Sequence, residues 1–450
     1  MPDSMYDLVV IGTGSGGAPA AFRCAADGWS VAVVDERPYG GTCALRGCDP
    51  KKVLIGGAQL TDWARRMNGR GVSPTPEIDW PELMAFKRSY TDPVPEDREH
   101  RFDQAGIDTF HGTARFTGEN MIDVDGQTLR FEHLLLANGA KPAPLPIDGF
   151  DHLTTSDEFL EMDALPERLA FVGGGYISFE FAHLAARAGA DVTILHRGSR
   201  PLENFESDLV DVLLEHTREL GITVHLGAEV RAVEARDEAF TVDASQNGEK
   251  LSVTADRVVH GAGRVPALDS MDLEAGGVEA SKRGVAVTEQ LQSVSNPRVW
   301  AAGDAADTDG LPLTPVGTAE SITVASNLRG GERTPNYGGI PTVVFTIPPM
   351  ASVGLTEAQA REQGINVTVK HKSDITGWYS YERLGSEAAA FKVLAEEESG
   401  RIVGAHLVGE HVGELINMFA LAVRHDLSAT DLRHGIYAYP THASDLPYLT

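Results

Sequence analysis

The apolar positions of this chain fall into short runs, each broken by a glycine turn and followed by a segment of helical period. Tyr6-Asp7-Leu8-Val9-Val10-Ile11 reads as a strand, Gly12-Thr13-Gly14-Ser15-Gly16-Gly17 as a tight turn, and the Ala-rich stretch through Ala26 as a helix. A second strand, Ser30-Val31-Ala32-Val33-Val34, follows and ends at Asp35. The order recurs downstream. A strand at Leu169-Ala170-Phe171-Val172 leads into Gly173-Gly174-Gly175 and a helix through Glu180 and Arg187, and then Asp191-Val192-Thr193-Ile194-Leu195 forms another strand. Strands alternating with helices predict doubly wound α/β folds with parallel sheets. Past residue 337 the pattern changes to strands at Thr342–Phe345, Ala390–Ala395 and Ile402–Val408 and a helix at Gly413–Arg424, an α+β layer suited to dimerisation. Gly69–Thr75 and Gly330–Tyr337 read as loops. The expected organisation is a first dinucleotide fold over 1–148, a second over 149–263, a return to the first over 264–336, and an interface layer over 337–450.

Each glycine turn carries a chemical implication. Gly12 permits the tight turn, Gly14 lets the backbone approach a pyrophosphate at the helix N-terminus, and Gly17 allows close packing of helix on strand. Asp35, at the end of the second strand, is placed to accept hydrogen bonds from a ribose. In the second copy the corresponding strand ends in His196-Arg197-Gly198-Ser199-Arg200 rather than in an acid. Arginine there holds a 2′-phosphate that an acid would repel, so Arg197 and Arg200 favour NADPH over NADH, with Glu203 opposing them slightly.

Just after the first fingerprint stands Gly41-Thr42-Cys43-Ala44-Leu45-Arg46-Gly47-Cys48-Asp49-Pro50-Lys51-Lys52. Two cysteines beside a dinucleotide site imply a redox-active pair. Five residues of regular helix rise roughly 7.5 Å, whereas bridged cysteines need Cα atoms within about 7 Å. A Cys43–Cys48 bond therefore requires a distorted helical entry, for which Gly47 and Pro50 are suited. The competing readings are free thiols or a zinc site, but zinc wants recurring Cys/His pairs and the only other cysteine is Cys24. Nothing in the sequence points to a bound metal.

Composition narrows the class. With 38 Lys and Arg against 65 Asp and Glu the formal charge is −27, which opposes nucleic acid and anionic membrane partners. The acidic excess includes a helical stretch from Glu203 to Glu219. No apolar run approaches a membrane span, the chain enters its first strand without a leader-like segment, and three cysteines do not make a secreted disulfide framework. A reducing cytoplasm is the expected compartment.

Taken with Gly261-Ala262-Gly263-Arg264-Val265-Pro266, Ala301-Ala302-Gly303-Asp304-Ala305, Leu313-Thr314-Pro315-Val316 and the block from Ile340 through Thr356, the two glycine loops and the cysteine pair resemble the pyridine nucleotide-disulfide oxidoreductases. That group includes glutathione reductase, dihydrolipoamide dehydrogenase and mercuric reductase, and the resemblance spans the whole chain. It implies two Rossmann-like domains, one for FAD and one for NAD(P)H, with a C-terminal α+β dimerisation domain, and a homodimer. It further implies that Cys48 is the charge-transfer thiolate, Cys43 the interchange thiol, Lys51 and Glu180 an ion pair beside the flavin, Tyr176 the ring that shields it, and Asp304 a ligand of its ribitol chain. Lys51, Gly41, Thr42, Ala114, Gly139 and Gly303 complete the expected flavin contacts, and Gly173, Gly175, Tyr176 and Gly263 the nicotinamide ones.

The C-terminal segment departs from the family. Where glutathione and lipoamide enzymes have His-Pro-Thr and a glutamate five residues after the His, this chain reads Tyr439-Pro440-Thr441-His442-Ala443-Ser444-Asp445. Tyr439 takes the place of the acid–base His and Ser444 that of the Glu. Mercuric reductase resembles this chain in having a tyrosine there, but the C-terminal cysteine pair is missing from Leu446–Thr450. Phe22 stands where a glutathione-binding arginine is expected, and Ala44-Leu45-Arg46 replaces the usual Val-Asn-Val type between the cysteines. Tyr439 and His442 are the two candidates for proton handling, Tyr439–Pro440 is a candidate cis peptide with an ordinary trans turn as the alternative, and residues 439–445 of one subunit would complete the site of the other. Three functions follow: an NADPH-dependent reductase of a low-molecular-weight disulfide, a flavin oxidoreductase acting on a quinone, metal ion or dihydrolipoamide-type substrate, or a non-catalytic dinucleotide-binding scaffold.

Overall fold

The structure is a computed structural model that describes residues 5–450. It divides into two compact units: the described residues through Lys51 with Ala85–Ala143 and Arg264–Tyr337, and Lys52–Met84 with Pro144–Gly263 and Gly338–Thr450.

In the first unit the strands Val31–Asp35, Met5–Ile11 and Gln127–Leu136 lie side by side and parallel, and Val299–Ala301 joins Gln127–Leu136. Leu8, Val9, Val10, Val33 and Leu134 are fully buried. A parallel strand covered on both faces reads as a continuous apolar run rather than an alternating one. Asp108–His111 extends one edge, and the antiparallel strands Met121–Val124 and Ala114–Gly118 extend the other. The helix Ala18–Ala26 begins as expected after the glycine turn.

In the second unit, parallel strands run in the order Thr223–Leu226, Asp191–His196, Arg168–Val172, Arg257–His260 and Leu153–Thr154, with the helix Tyr176–Arg187 after the second glycine loop. The acidic helix spans Ser207–Glu219. The C-terminal layer is an antiparallel sheet ordered Thr342–Val344, Met350–Gly354, Ile402–Val408, Ala390–Glu396 and Val367–Lys372, with the helix Val412–Arg424 packed on it. Two of these strands escape the hydrophobic pattern for opposite reasons. Met350–Gly354 is small and buried with no alternation, and Val367–Lys372 is exposed along most of its length.

The sequence places residues 52–84 in the first dinucleotide fold, and the structure groups them with the second unit. Leu54, Ile55, Ala58, Trp80 and Met84 share one buried core with Phe159, Phe171, Phe179 and Phe181, and Trp80 Nε1 donates to the carbonyl of Met162 at 2.8 Å. Burial of this apolar face outweighs proximity in sequence.

The second unit also buries charge. Asp62 and Arg66, at the end of the helix Cys48–Arg66, pair at 2.8 Å; Asp62 meets Arg187 at 3.0 Å, and Arg66 meets Glu410 at 2.5 Å. Lys392 is held by Glu206 at 3.1 Å and by Asp208 and Glu357 at 2.6 Å, so these three carboxylates are neutralised by an ammonium.

Candidate active site

The first glycine turn is built where side chains cannot enter. Gly12 has φ +99°, and a Cβ there would lie 2.3 Å from the carbonyl oxygen of Ala137; a Cβ on Gly17 would lie 2.1 Å from that of Gly12. Asp35 locks the turn from the neighbouring strand. Its Oδ2 accepts the N–H of Thr13 at 2.9 Å and its hydroxyl at 2.8 Å, and its Oδ1 accepts the N–H of Arg37 at 3.0 Å. The turn opens on a cleft of about 380 Å³ lined by Gly14, Asp35, Gly41, Thr42, Ala114, Gly139, Gly303 and Asp304, together with Cys43, Cys48 and Thr314. Gly41, at φ +75°, sits so close to Gly14 that a Cβ would come within 2.4 Å of its Cα.

These features fit a dinucleotide. A backbone cradle stands at the start of a helix that no side chain caps, and a carboxylate closes the second strand. Gly303 (φ +65°) turns the chain so that Asp304 lines the same cleft. Burial raises the Asp304 carboxyl above its ordinary range, with the nearby Arg264 opposing. Behind the turn, the buried Glu320 accepts the Gly303 N–H at 2.6 Å, the Thr308 hydroxyl at 3.0 Å and the Tyr337 hydroxyl at 2.6 Å. Phe22 is a packing residue, stacked on Phe102 with ring centroids 4.9 Å apart.

The cysteines meet across a helix break. The helix Gly41–Arg46 stops at Gly47, whose φ of −149° and ψ of −110° leave helical geometry, and a new helix starts at Cys48 with Pro50 in its first turn. Both cysteines are free thiols in this structure. The neighbouring Cys43 thiol, with the Thr314 hydroxyl 3.4 Å from Cys48 Sγ and the charge of Lys51, brings the Cys48 thiol down to about 6 against the opposing pull of burial. Cys43 is driven the other way, first by the neighbouring Cys48 and then by burial. The two sulfurs are pushed apart, Cys48 toward the thiolate and Cys43 toward the thiol. Asp49 lies beside it, its Oδ1 3.9 Å from Cys43 Sγ.

In the second unit, Gly173 has φ +115°, and a Cβ there would meet the carbonyl oxygen of Gly261 at 2.3 Å. The strand after this loop ends in His196, whose Nε2 donates to the carbonyl of Arg200 at 2.9 Å and lies 3.8 Å from Glu203. Arg197 is exposed, and Nε of Arg200 is buried with no hydrogen-bond partner among the described residues. The Tyr176 hydroxyl pairs with Thr342 at 2.7 Å, and burial raises its pKa. Glu180 is buried and accepts the N–H of Phe345 at 2.8 Å.

Beside Glu180, the Lys52 ammonium lies 4.2 Å from the centre of the Phe345 ring. Lys51 acts on Cys48. Three and four residues after Cys48, both lysines share its helix face, so spacing alone does not separate them. Thr13, Asp49 and Thr314 lie inside motifs quoted from the sequence without a role of their own, and Glu320 lies outside them; each matters through a partner distant in sequence or across a helix break. At the C-terminus Tyr439–Pro440 is cis, Tyr439 is 79% exposed, and His442 is packed against Tyr381 and His411; burial first, then the charges of His411 and Arg383, bring it down to about 4.

The chain belongs to the pyridine nucleotide-disulphide oxidoreductase family, whose model matches residues 6–327, and the dimerisation domain of that family matches residues 340–449. The family is FAD-dependent with NAD(P)H as electron donor, and the dimerisation domain supports a homodimer. The chain is 34% identical to a dihydrolipoyl dehydrogenase of Haloferax volcanii, covering 97% of this chain and 94% of that one. It is 33% identical to a glutathione reductase of Burkholderia cepacia, covering 98% and 97%. Among solved structures, the HOCl-induced flavoprotein disulfide reductase from Escherichia coli matches with a TM-score of 0.88 at 27% identity over 99% of both chains. No helix among the described residues is long and apolar enough to cross a membrane.

Proposed function

We propose that this protein is an NADPH-dependent flavoenzyme that reduces a low-molecular-weight disulfide through Cys43 and Cys48. The observation that carries this reading is that Cys43 and Cys48, on either side of the helix break at Gly47, both line the dinucleotide cleft. FAD, when bound, supplies two-electron transfer between nicotinamide and the cysteines. Gly12, Gly14, Gly17, Asp35, Gly41, Thr42, Gly303 and Asp304 hold it. Thr314 and Lys51 keep Cys48 ionised, Lys52 stands with Glu180 around Phe345, and Tyr176 covers the nicotinamide side. Cys43 is the thiol that meets substrate, and Tyr439 of a second copy supplies a hydroxyl proton to a departing thiolate. An assay of NADPH oxidation with disulfides, quinones and metal ions tests the reading, and turnover confined to quinones or metal ions overturns it.

A second reading, a non-disulfide acceptor, draws on Tyr439, because a phenol donates a proton but hardly accepts one. A similar solved structure is the Cu(II) complex of the Escherichia coli reductase, which keeps metal ions in the panel. Tyr439→Phe separates the readings: disulfide turnover is expected to slow about 10²-fold with NADPH-driven flavin reduction intact, and His442→Ala is expected to matter less. Unchanged thiol-dependent turnover in both variants moves the non-disulfide acceptor to the front.

NADPH preference rests on Arg197, with Arg200 assisting. Arg197→Glu is expected to lower the ratio of kcat/KM for NADPH over NADH by about ten- to a hundredfold, the loss of one charge-assisted phosphate contact. A wild-type preference for NADH refutes the assignment.

A further inference from the structure

Disulfide exchange moves two protons: the attacking thiol loses one, and the departing thiolates must gain them. In the C-terminal segment Tyr439 is a phenol, and Nε2 of His442 and Oδ2 of Asp445 are both enclosed without a hydrogen-bond partner among the described residues. Cys43 has an acceptor closer at hand. Its Sγ lies 3.9 Å from Oδ1 of Asp49, which follows directly on Cys48 and is exposed at the cysteine break.

We propose that Asp49 is a catalytic residue that takes the proton of the Cys43 thiol as that sulfur attacks substrate and hands it to the first departing thiolate. The proposal rests on the disulfide-reductase reading. In the first step the Cys43 proton passes to the Asp49 carboxylate, a bond forms between Cys43 Sγ and one substrate sulfur, the substrate S–S bond breaks, and the released thiolate takes the proton back from Asp49. In the second step the Cys48 thiolate attacks Cys43 Sγ, forming the Cys43–Cys48 disulfide and expelling the second thiolate, which is protonated by Tyr439 or solvent. Two enzyme sulfurs are oxidised and two substrate sulfurs reduced.

The electrostatics explain why such an acceptor is needed. The titratable groups acting on Cys43 are Cys48 and Asp49, and both oppose its ionisation, while the Thr314 hydroxyl favours the anion on either sulfur and Lys51 favours it on Cys48. A free Cys43 thiolate is therefore scarce, and its proton must leave together with the attack. The rival acceptor is the Cys48 thiolate itself, which would then have to lose that proton again before the second step.

Leaving-group dependence decides between them. Thiols of low pKa leave without a proton, and alkyl thiols do not. In the NADPH-reduced holoenzyme, Asp49→Asn is expected to slow reduction of bis(2-hydroxyethyl) disulfide by about 10²-fold and that of the aryl probe 5,5′-dithiobis(2-nitrobenzoate) by only about tenfold, because both lose the acceptor of the Cys43 proton but the aryl thiolate needs no proton to leave. Asp49→Glu should recover much of the alkyl rate, and a persisting thiolate–flavin absorption shows that the variant site is intact. Equal slowing of both probes, or of neither, overturns the role of Asp49 and leaves Cys48 as the acceptor. A wild-type enzyme that reduces neither probe overturns the disulfide reading and this proposal with it.

Discussion

Replacing Cys48 with Ser is expected to abolish the long-wavelength absorption of the two-electron-reduced protein and to cut disulfide turnover by on the order of 10³-fold or more, the usual scale for removing a nucleophile that acts as part of a unit. The absorption requires a thiolate in the flavin cleft. Cys48 is the sulfur held as an anion, by the Cys43 thiol first and by Thr314 and Lys51 in addition. Cys43→Ser should preserve or strengthen the absorption and still remove disulfide turnover, because the interchange thiol is gone while a serine hydroxyl can still donate to Cys48. The pH dependence has a definite sign. Cys48 titrates at about 6, so the absorption is present above that value and fades as pH falls through it. Anaerobic titration with NADPH, recorded in the visible range over a pH series, measures all three. The opposite pattern in the two serine variants would exchange the roles of the cysteines.

The second large effect is structural. Asp62→Ala is expected to destabilise the protein by about 3–5 kcal/mol, the cost of leaving buried guanidinium groups without their counter-ion, and to lower the thermal midpoint by on the order of 10 °C. Asp62 is 4% exposed, with Arg66 at 2.8 Å, Arg187 at 3.0 Å and Arg65 at 3.4 Å. Burial alone pushes the Asp62 carboxyl up, and Arg187, Arg66 and Arg65 together hold it below the ordinary carboxylate range. Its contribution is therefore present at neutral pH and is lost as pH falls through that depressed value. Calorimetry of wild type and variant at neutral and acidic pH checks both parts. A shift of only a degree or two at neutral pH would mean that water replaces the lost carboxylate.

Local rules made much of this protein legible. A glycine that must turn back on its strand, as Gly12 and Gly173 do, is dictated by the backbone itself, because a Cβ at either position would lie 2.3 Å from a carbonyl oxygen. The parallel strands announced themselves as unbroken apolar runs, and the break at Gly47 between Cys43 and Cys48 followed from the reach of a disulfide set against the rise of a helix. The edge strand Val367–Lys372 stayed hidden because its exposed residues carry no pattern of burial.

By itself, the order of residues determined the two glycine turns, the spacing of Cys43 and Cys48 and the place of Tyr439 before Pro440, since each depends on residues within a few positions of one another. Tertiary structure alone decided that 52–84 fold with the second unit, that Lys52 is the lysine above Phe345, and that Asp62 closes a buried charge network. It also placed Asp49 next to Cys43, across a break in the helix. The physical reason is the same in each case. Periodicity reports which way a side chain faces, whereas burial and charge are settled by whatever the rest of the chain brings against it.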